Sequence, residues 1–192
     1  MSNKDIFYRY SHELRELKTK EEKIDWFEGR VNKILIEPIE QLRKIWRKDD
    51  SEIWRLNLGL MNLICNAILA ISNFYLQKGT EAKKFKKFVK NYMNKKFMEK
   101  DPNGKEYVSL LWDDFRCGLT HGFTILYGGI VETTRYYLNY DSTRGLGIDF
   151  WSFFDDFKQA FNNYLKDIKE AKEGSFLENN FLTRFNQLFG KK

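Results

Sequence analysis

The sequence predicts a single, mainly helical domain of 192 residues. Its composition is that of a globular protein, with 42% apolar and 31% charged residues. Two prolines and twelve glycines leave little room for disordered stretches. Apolar side chains recur at spacings of three and four along most of the chain, which is the pattern of amphipathic helices. We expect a helical core at about residues 20–122 and 150–189, with an insertion at about 127–148.

The first helix is predicted at about residues 20–47. Pro38 interrupts its apolar stripe, so we expect a kink or a division there. The following "DDSE" segment, residues 49–52, supplies a plausible N-cap for the next helix. The apolar stripe of the first helix consists of Ile24, Phe27, Val31, Ile34 and Leu35.

The segment Leu56–Leu76 lies in the longest uncharged run and, at 21 residues, could span a bilayer by length alone. However, Asn62, Asn66 and Asn73 fall within about 40° of one another on a helix and form a polar stripe. Asparagine side chains are costly in hydrocarbon. The run is therefore predicted to be a buried central helix or a helix at a dimer interface, rather than a membrane span.

A lysine-rich amphipathic helix, "EAKKFKKFVKNYMNKKF", follows at residues 81–97. Residues 1–100 carry 22 lysines and arginines against 14 acids, a net charge of +8, whereas residues 101–192 carry a net charge of −2. The lysine face is consistent with a solvated surface, with phosphate contacts to nucleic acid, or with adsorption on an anionic membrane. The candidate RNA-binding residues are Lys83, Lys84, Lys86, Lys87 and Lys90.

After the turn "DPNG", a helix beginning near Lys105 places several apolar residues in core register. The segment that follows it is rich in strand formers, and its Asp-Ser-Thr-Arg-Gly stretch predicts a short β-hairpin or an irregular insertion. A further long helix is predicted from about Asp149 to Gly174, with a short tail helix at Asn180–Phe189. The core positions of the helix near Lys105 are Val108, Leu111, Trp112, Phe115 and Leu119.

The end of that helix reads "FRCGLTHG" and contains Arg116 and His121, one of only two histidines in the chain. Positions five apart diverge by about 140° on an ideal helix, so convergence requires local geometry. Gly118 would loosen the last turns, and Gly122 would form a left-handed C-cap. Both side chains could then contact one phosphate. The imidazole of His121 would transfer a proton, and the planar guanidinium of Arg116 would donate hydrogen bonds to the charged phosphoryl oxygens.

A purely structural role for the pair is the alternative. A histidine at a helix end can bond to a carbonyl, and Arg116 can pair with Asp113 or Asp114 on the same helix.

The string "RCGLTH", Arg116 to His121, resembles the R-x4-H signature of the HEPN superfamily, named for higher eukaryote and prokaryote nucleotide-binding domains. The resemblance implies a bundle of four to five helices that forms a homodimer, in which Arg116 and His121 of both chains build one catalytic site. It also implies no metal and no cofactor. Many active members carry a polar residue directly after the arginine, where this chain has Cys117.

What the resemblance implies is a metal-independent endoribonuclease that cleaves RNA by 2′-hydroxyl attack in toxin–antitoxin or antiviral defence. The implied partners are single-stranded RNA or tRNA and an antitoxin or defence-system protein. The alternative is a catalytically silent HEPN-like module that binds a nucleotide, nucleic acid or a protein. Aromatic rings that could stack on bases beside the site are those of Tyr136, Tyr137 and Tyr140.

The sequence contains no Cys/His zinc pattern, P-loop or dinucleotide fingerprint. Adjacent acids on a helix point about 100° apart and do not chelate together. Cys65 and Cys117 lack paired spacing, and the first residues lack the apolar core of a signal peptide, so we expect a cytoplasmic protein.

Overall fold

The fold is mainly helical with one small sheet, as the sequence predicts. The computed structural model describes residues 13–45, 53–131 and 137–189. Within them lie six helices rather than the four to five expected. They are α1 (residues 20–45), α2 (Ile53–Tyr75), α3 (Glu81–Tyr92), α4 (residues 107–122), α5 (Phe150–Glu170) and α6 (Phe176–Phe189). The strands are β1 (Gly128–Val131), β2 (Leu138–Asp141) and β3 (Gly145–Asp149), and 3-10 turns lie at Glu13–Glu16 and Lys95–Met98.

Helix α1 begins at a capping box, in which Thr19 and Glu22 satisfy each other's backbone N–H groups. It runs through Pro38 without dividing, but Asn32–Ile36 is wound as a π-helix. A proline ring crowds the carbonyl four residues earlier in an α-helix, and that residue, Ile34, lies in the wider turn. The interruption expected at Pro38 is therefore a change of winding. The "DDSE" cap lies outside the described residues.

The apolar face of α5 forms the centre of the core. Phe161 meets Phe27 of α1 at 5.8 Å between ring centroids, and Tyr164 meets Phe88 of α3 at 5.7 Å. Both pairs are edge to face, the geometry that aromatic rings prefer. The buried residues of α5 are Phe150, Phe153, Phe154, Phe157, Ala160, Phe161, Tyr164, Leu165 and Ile168.

Helix α2 packs against α3, α4, α5 and α6. Residues Leu56–Tyr75 are long and apolar enough, by composition, to cross a membrane, and this is the one such helix among the described residues. The core helix of a globular protein passes the same test, and 44% of the most apolar stretch of α2 is buried inside this protein. The buried side chains Ile64, Cys65 and Ile68 face the core, as predicted for a central helix.

The insertion contains the predicted hairpin and one further strand. Strands β2 and β3 are antiparallel, and the turn between them is held by Asp141 Oδ1, which accepts from the backbone N–H groups of Thr143 and Arg144. Strand β1 pairs with β3 in parallel, so the order is β1-β3-β2. Strand β3 leads directly into α5, whose N-cap Asp149 accepts from Ser152 N–H.

Two neighbouring glycines of β1 have different environments. Gly128 has φ +142°, and a Cβ there would lie 2.6 Å from the carbonyl oxygen of Leu146. No atom lies within 4 Å of a Cβ built on Gly129. Only Gly128 is therefore required by the fold.

We expect Gly128→Ala to lower the free energy of unfolding by about 1–3 kcal/mol, because alanine is strained at this φ and would clash with Leu146. Gly129→Ala should change it by less than about 1 kcal/mol, since the position is open and extended. Urea unfolding of both variants, followed by circular dichroism, measures the difference. Equal destabilisation by the two substitutions would contradict this account of the sheet.

Candidate functional site

Arg116 and His121 lie in the C-terminal half of α4, where the helix changes its winding. Leu111–Cys117 is π-helical and Gly118–Gly122 is α-helical. The i to i+5 bonds of a π-helix bring residues five apart closer to one face than an α-helix does. Here the π-helical segment contains Arg116 but ends at Cys117, so the residues between Arg116 and His121 are mostly α-helical and the wider winding does not itself bring the two side chains onto one face. Such turns are frequent at functional sites.

The helix ends one residue later than predicted. The left-handed residue is Phe123, at φ 54°, whereas Gly122 is the last helical residue. The backbone N–H of Phe123 donates to the carbonyl of Gly118. Gly118 itself is needed for a close approach, because a Cβ there would lie 2.5 Å from the carbonyl oxygen of Thr124. The prediction that Gly122 is the left-handed cap was therefore wrong.

Arg116 is buried, with 9% of its surface exposed. Its Nη2 lies 3.4 Å from Oε2 of Glu81, the first residue of α3, and its guanidinium carbon lies 4.7 Å from the ring centre of Trp112. The Nε atom is buried and has no hydrogen-bond acceptor among the described residues. Asp113 is not the acceptor for Arg116, since it forms an ion pair with Lys105 at 2.8 Å.

The alternative partner considered for Arg116, Asp114, has a raised pKa, chiefly because burial disfavours the carboxylate. No ion pair joins Asp114 to Arg116 in the described part of the chain. Glu81 was not found from the sequence, because it lies 35 positions from Arg116 and no local pattern connects the two.

His121 is exposed, in contrast to Arg116. It makes no hydrogen bond or ion pair with any described residue, and none joins it to Arg116. The imidazole is therefore accessible to a ligand from solvent, while the arginine lies beneath the surface of the same helix end. A group that contacts both must reach inward from the exposed histidine.

The asparagine stripe of α2 runs beside this helix end, and part of its hydrogen-bonding capacity is used within the chain. Asn62 Oδ1 accepts from Thr120 Oγ1 at 3.0 Å and from Asn66 Nδ2 at 2.8 Å. At the other end of the stripe, Asn73 Oδ1 accepts from Lys84 Nζ at 2.9 Å. One end of the stripe is thus bonded to the residue before His121, and the other end is bonded to the lysine-rich helix.

The five candidate lysines of α3 differ in their availability. Lys83 and Lys87 are exposed, and Lys86 is half-buried. Lys84 is bonded to Asn73, and Lys90 forms a 2.5 Å ion pair with Glu106. Lys83 and Lys87 are therefore the lysines most available to bind an anion.

Of the three candidate stacking tyrosines, Tyr136 lies outside the described residues. Tyr137 donates its hydroxyl to Asp156 Oδ2 at 2.8 Å, and burial raises its pKa well above the usual range. Tyr140 stacks on Tyr107, with ring centroids 6.1 Å apart. Both described rings thus contribute to packing inside the chain.

The two cysteines lie in different surroundings. Cys65 is buried, and burial raises the pKa of its thiol to about 12. Cys117 Sγ lies 3.9 Å from Arg116 Nη1. Among the described residues, no three His, Cys, Asp or Glu side chains are grouped in a way that could hold a metal ion.

Comparison with known proteins gives no relative from which a role for these residues could be transferred. Neither family models, nor curated proteins, nor solved structures gave a match to the chain.

We expect Asn62→Ala to lower the free energy of unfolding by about 1–2 kcal/mol, because Asn62 accepts two side-chain hydrogen bonds. Amide hydrogen exchange should also accelerate at residues 119–122, since Thr120 loses its partner. Asn73→Ala is the matched control, because Asn73 lies at the far end of the stripe. Equal acceleration at residues 119–122 in both variants would show that Asn62 does not hold this helix end.

Proposed function

We propose that the protein is a metal-independent endoribonuclease of HEPN type, with Arg116 and His121 as its catalytic residues. One observation carries the proposal: an exposed histidine without a hydrogen-bond partner among the described residues and a buried arginine with an unpaired Nε lie in the C-terminal half of the same helix, α4. The freely exposed lysines of α3 supply the accompanying positive surface. This arrangement suits a reaction in which the substrate is negatively charged and a proton is transferred.

In the proposed reaction, a general base removes the proton of a ribose 2′-hydroxyl, and the oxygen attacks the adjacent phosphorus. The bond to the 5′-oxygen breaks, that oxygen takes a proton from a general acid, and a 2′,3′-cyclic phosphate remains. His121 serves as one of these groups, and the Arg116 guanidinium stabilises the charge on the phosphoryl oxygens. The second proton-transfer group comes from His121 of a second copy, which makes the active species a homodimer.

The Glu81 contact bears on how a phosphate reaches Arg116. The carboxylate is 62% exposed, and its 3.4 Å distance is long for a charged hydrogen bond. An RNA phosphate can therefore take its place without disturbing the core. Because Glu81 begins α3, the displaced carboxylate and the lysine face lie on the same helix.

A catalytically silent module is the second candidate, and the burial of Arg116 favours it. An arginine that is enclosed by Trp112 and paired with Glu81 fits a structural role. Under this hypothesis the lysine face of α3 binds a nucleotide, nucleic acid or protein partner, and no bond is cleaved.

His121→Ala should lower the rate of RNA cleavage roughly 10²-fold or more, because it removes a proton-transfer group. Folding should be unchanged, since His121 is exposed and has no hydrogen bond or ion pair with a described residue to lose. The assay uses purified protein, total RNA and excess EDTA. Lys172→Ala, another exposed substitution outside the site, is the control and should cleave at the wild-type rate.

Full-rate cleavage by His121→Ala, or cleavage that stops in EDTA, overturns the proposed mechanism. Absence of cleavage by the wild type, together with retained RNA binding, supports the silent module. Where cleavage is seen, a hybrid of wild type with the Arg116→Ala/His121→Ala chain tests the shared site. Near-complete loss of activity in that hybrid is expected, whereas half the activity would mean that each chain acts alone.

Removing exposed lysines should weaken RNA binding in a salt-dependent way. The Lys83→Gln/Lys87→Gln variant should reduce the slope of log K against log salt by about 1.4, since each phosphate contact to single-stranded RNA contributes about 0.7. Lys84→Gln/Lys90→Gln is the matched control with the same charge change, and it should reduce the slope less because both lysines have internal partners. Fluorescence anisotropy with a labelled RNA gives the slopes, and equal slopes for both variants and the wild type would make the lysine face a solvated surface.

A further inference from the structure

The outer face of the sheet carries a surface cavity of about 640 Å³. None of its lining residues is among Arg116, His121 and the lysines of α3. Gly129 of β1 and Gly147 of β3 are direct neighbours in the sheet, and Asn139 of β2 completes the row. Gly129 and Gly147, called here the glycine floor, leave the backbone bare at the base of this cavity.

The fold gives no reason for glycine at either position of the floor. A Cβ on Gly129 would meet no atom within 4 Å, and one on Gly147 would be in ordinary van der Waals contact with the Asn139 carbonyl oxygen at 3.4 Å and with Val131 Cγ1 at 3.5 Å. Neither residue has the φ between +20° and +160° that favours glycine. Glycine in a strand interior is destabilising and often marks a close approach by a ligand. What the two residues provide is a surface without side chains of its own, which is open at Gly129 and bordered by the Val131 side chain at Gly147.

The polar residues around the floor are few and complementary. Asp141 uses Oδ1 to cap the hairpin turn, and those backbone N–H groups lower its pKa, so it is an ionised acceptor at neutral pH. Asn139 offers both a donor and an acceptor, and Arg144 offers donors only. No ion pair of Arg144 with a described residue occupies its guanidinium. Leu126 and Tyr127 supply an apolar wall.

The cavity also lies close to the candidate catalytic helix end. Leu126, one of its lining residues, packs over Gly118 of α4, where a Cβ would lie 3.1 Å from Leu126 Cγ. Leu126 N–H donates to the carbonyl of Asp114 at 3.1 Å. The wall of the cavity is thus held against the helix that carries Arg116 and His121.

We propose that this cavity is a base-binding subsite for guanine, in a free mononucleotide or within RNA. A planar ring can lie on the bare backbone of the glycine floor, as ligands do in sites with few but convergent polar groups. Guanine presents N1–H and a 2-amino group, for which the acceptor is Asp141 Oδ2, the oxygen that the backbone bonds of the turn do not use. Its O6 and N7 suit the donors of Arg144 and Asn139. Adenine has no N1–H and matches this set less well. As a subsite for an RNA substrate, the inference rests on the proposed function.

Calorimetric titration with guanosine monophosphate tests the subsite without requiring cleavage. Wild-type protein should bind it, and should bind inosine and adenosine monophosphates at least roughly 10-fold more weakly, because an amino group or N1–H is missing. Asp141→Asn keeps an oxygen that can accept the hydrogen bonds of the turn, and it should weaken the binding of guanosine monophosphate by a similar factor. Failure of the wild type to bind, or equal affinity for the adenosine nucleotide, overturns the proposal.

Gly147→Val fills the floor and should abolish binding of all three nucleotides. Gly29→Val is the matched control, since that site on α1 is open and outside the cavity, and it should bind normally. Should Gly147→Val fail to fold, Arg144→Ala, an exposed substitution, replaces it and should weaken guanosine monophosphate binding. Unchanged guanosine monophosphate binding by folded Gly147→Val, or by Arg144→Ala where it replaces that variant, overturns the proposal.

The two proposals fail in different ways. Nucleotide binding without RNA cleavage leaves the guanine subsite standing and removes the ribonuclease. RNA cleavage without nucleotide binding leaves the ribonuclease standing and removes the subsite.

Discussion

Burial of the aromatic face of α5 is the constraint on which the rest of the structure depends. Helix α1 and helix α3 each place a phenylalanine edge to face against it, and β3 leads into its first turn. Burying one phenylalanine side chain contributes about 1.5–3 kcal/mol, whereas an exposed ion pair contributes about 0–1 kcal/mol. The nine buried residues of α5 therefore outweigh the polar contacts around Arg116. The candidate site is a surface feature carried by elements that this core holds in place.

Helices were predictable where the spacing of apolar residues along the chain indicated both the helix and its buried face. The spacing of Ile24 and Phe27 predicts the buried face of α1, and the turn residues after Asp141 predict the hairpin. The pairing of β1 with β3 was not predictable, because it joins segments on either side of the hairpin's first strand. The π-wound turns before Pro38 and around Arg116 were also missed, since no repeat in the sequence specifies a wider turn.

For the candidate site, the sequence predicts residues but not their environments. The motif places Arg116 and His121 at one helix end, yet their opposite exposure follows from how α4 packs on α2 and α3. Glu81 reaches Arg116 only because α3 begins at that place. The same applies to the lysines, whose charges are evident in the sequence while the internal partners of Lys84 and Lys90 are not. The glycines of the sheet gain meaning only once Gly129 and Gly147 are seen side by side.

The absence of any linker between β3 and α5 fixes the length of the chain at that junction. Asp149 is both the last residue of the strand and the N-cap of the helix. One inserted residue there would rotate the helix by about 100° relative to the sheet and turn Phe153 away from the core. Changes of length during evolution should therefore spare the strand–helix junction.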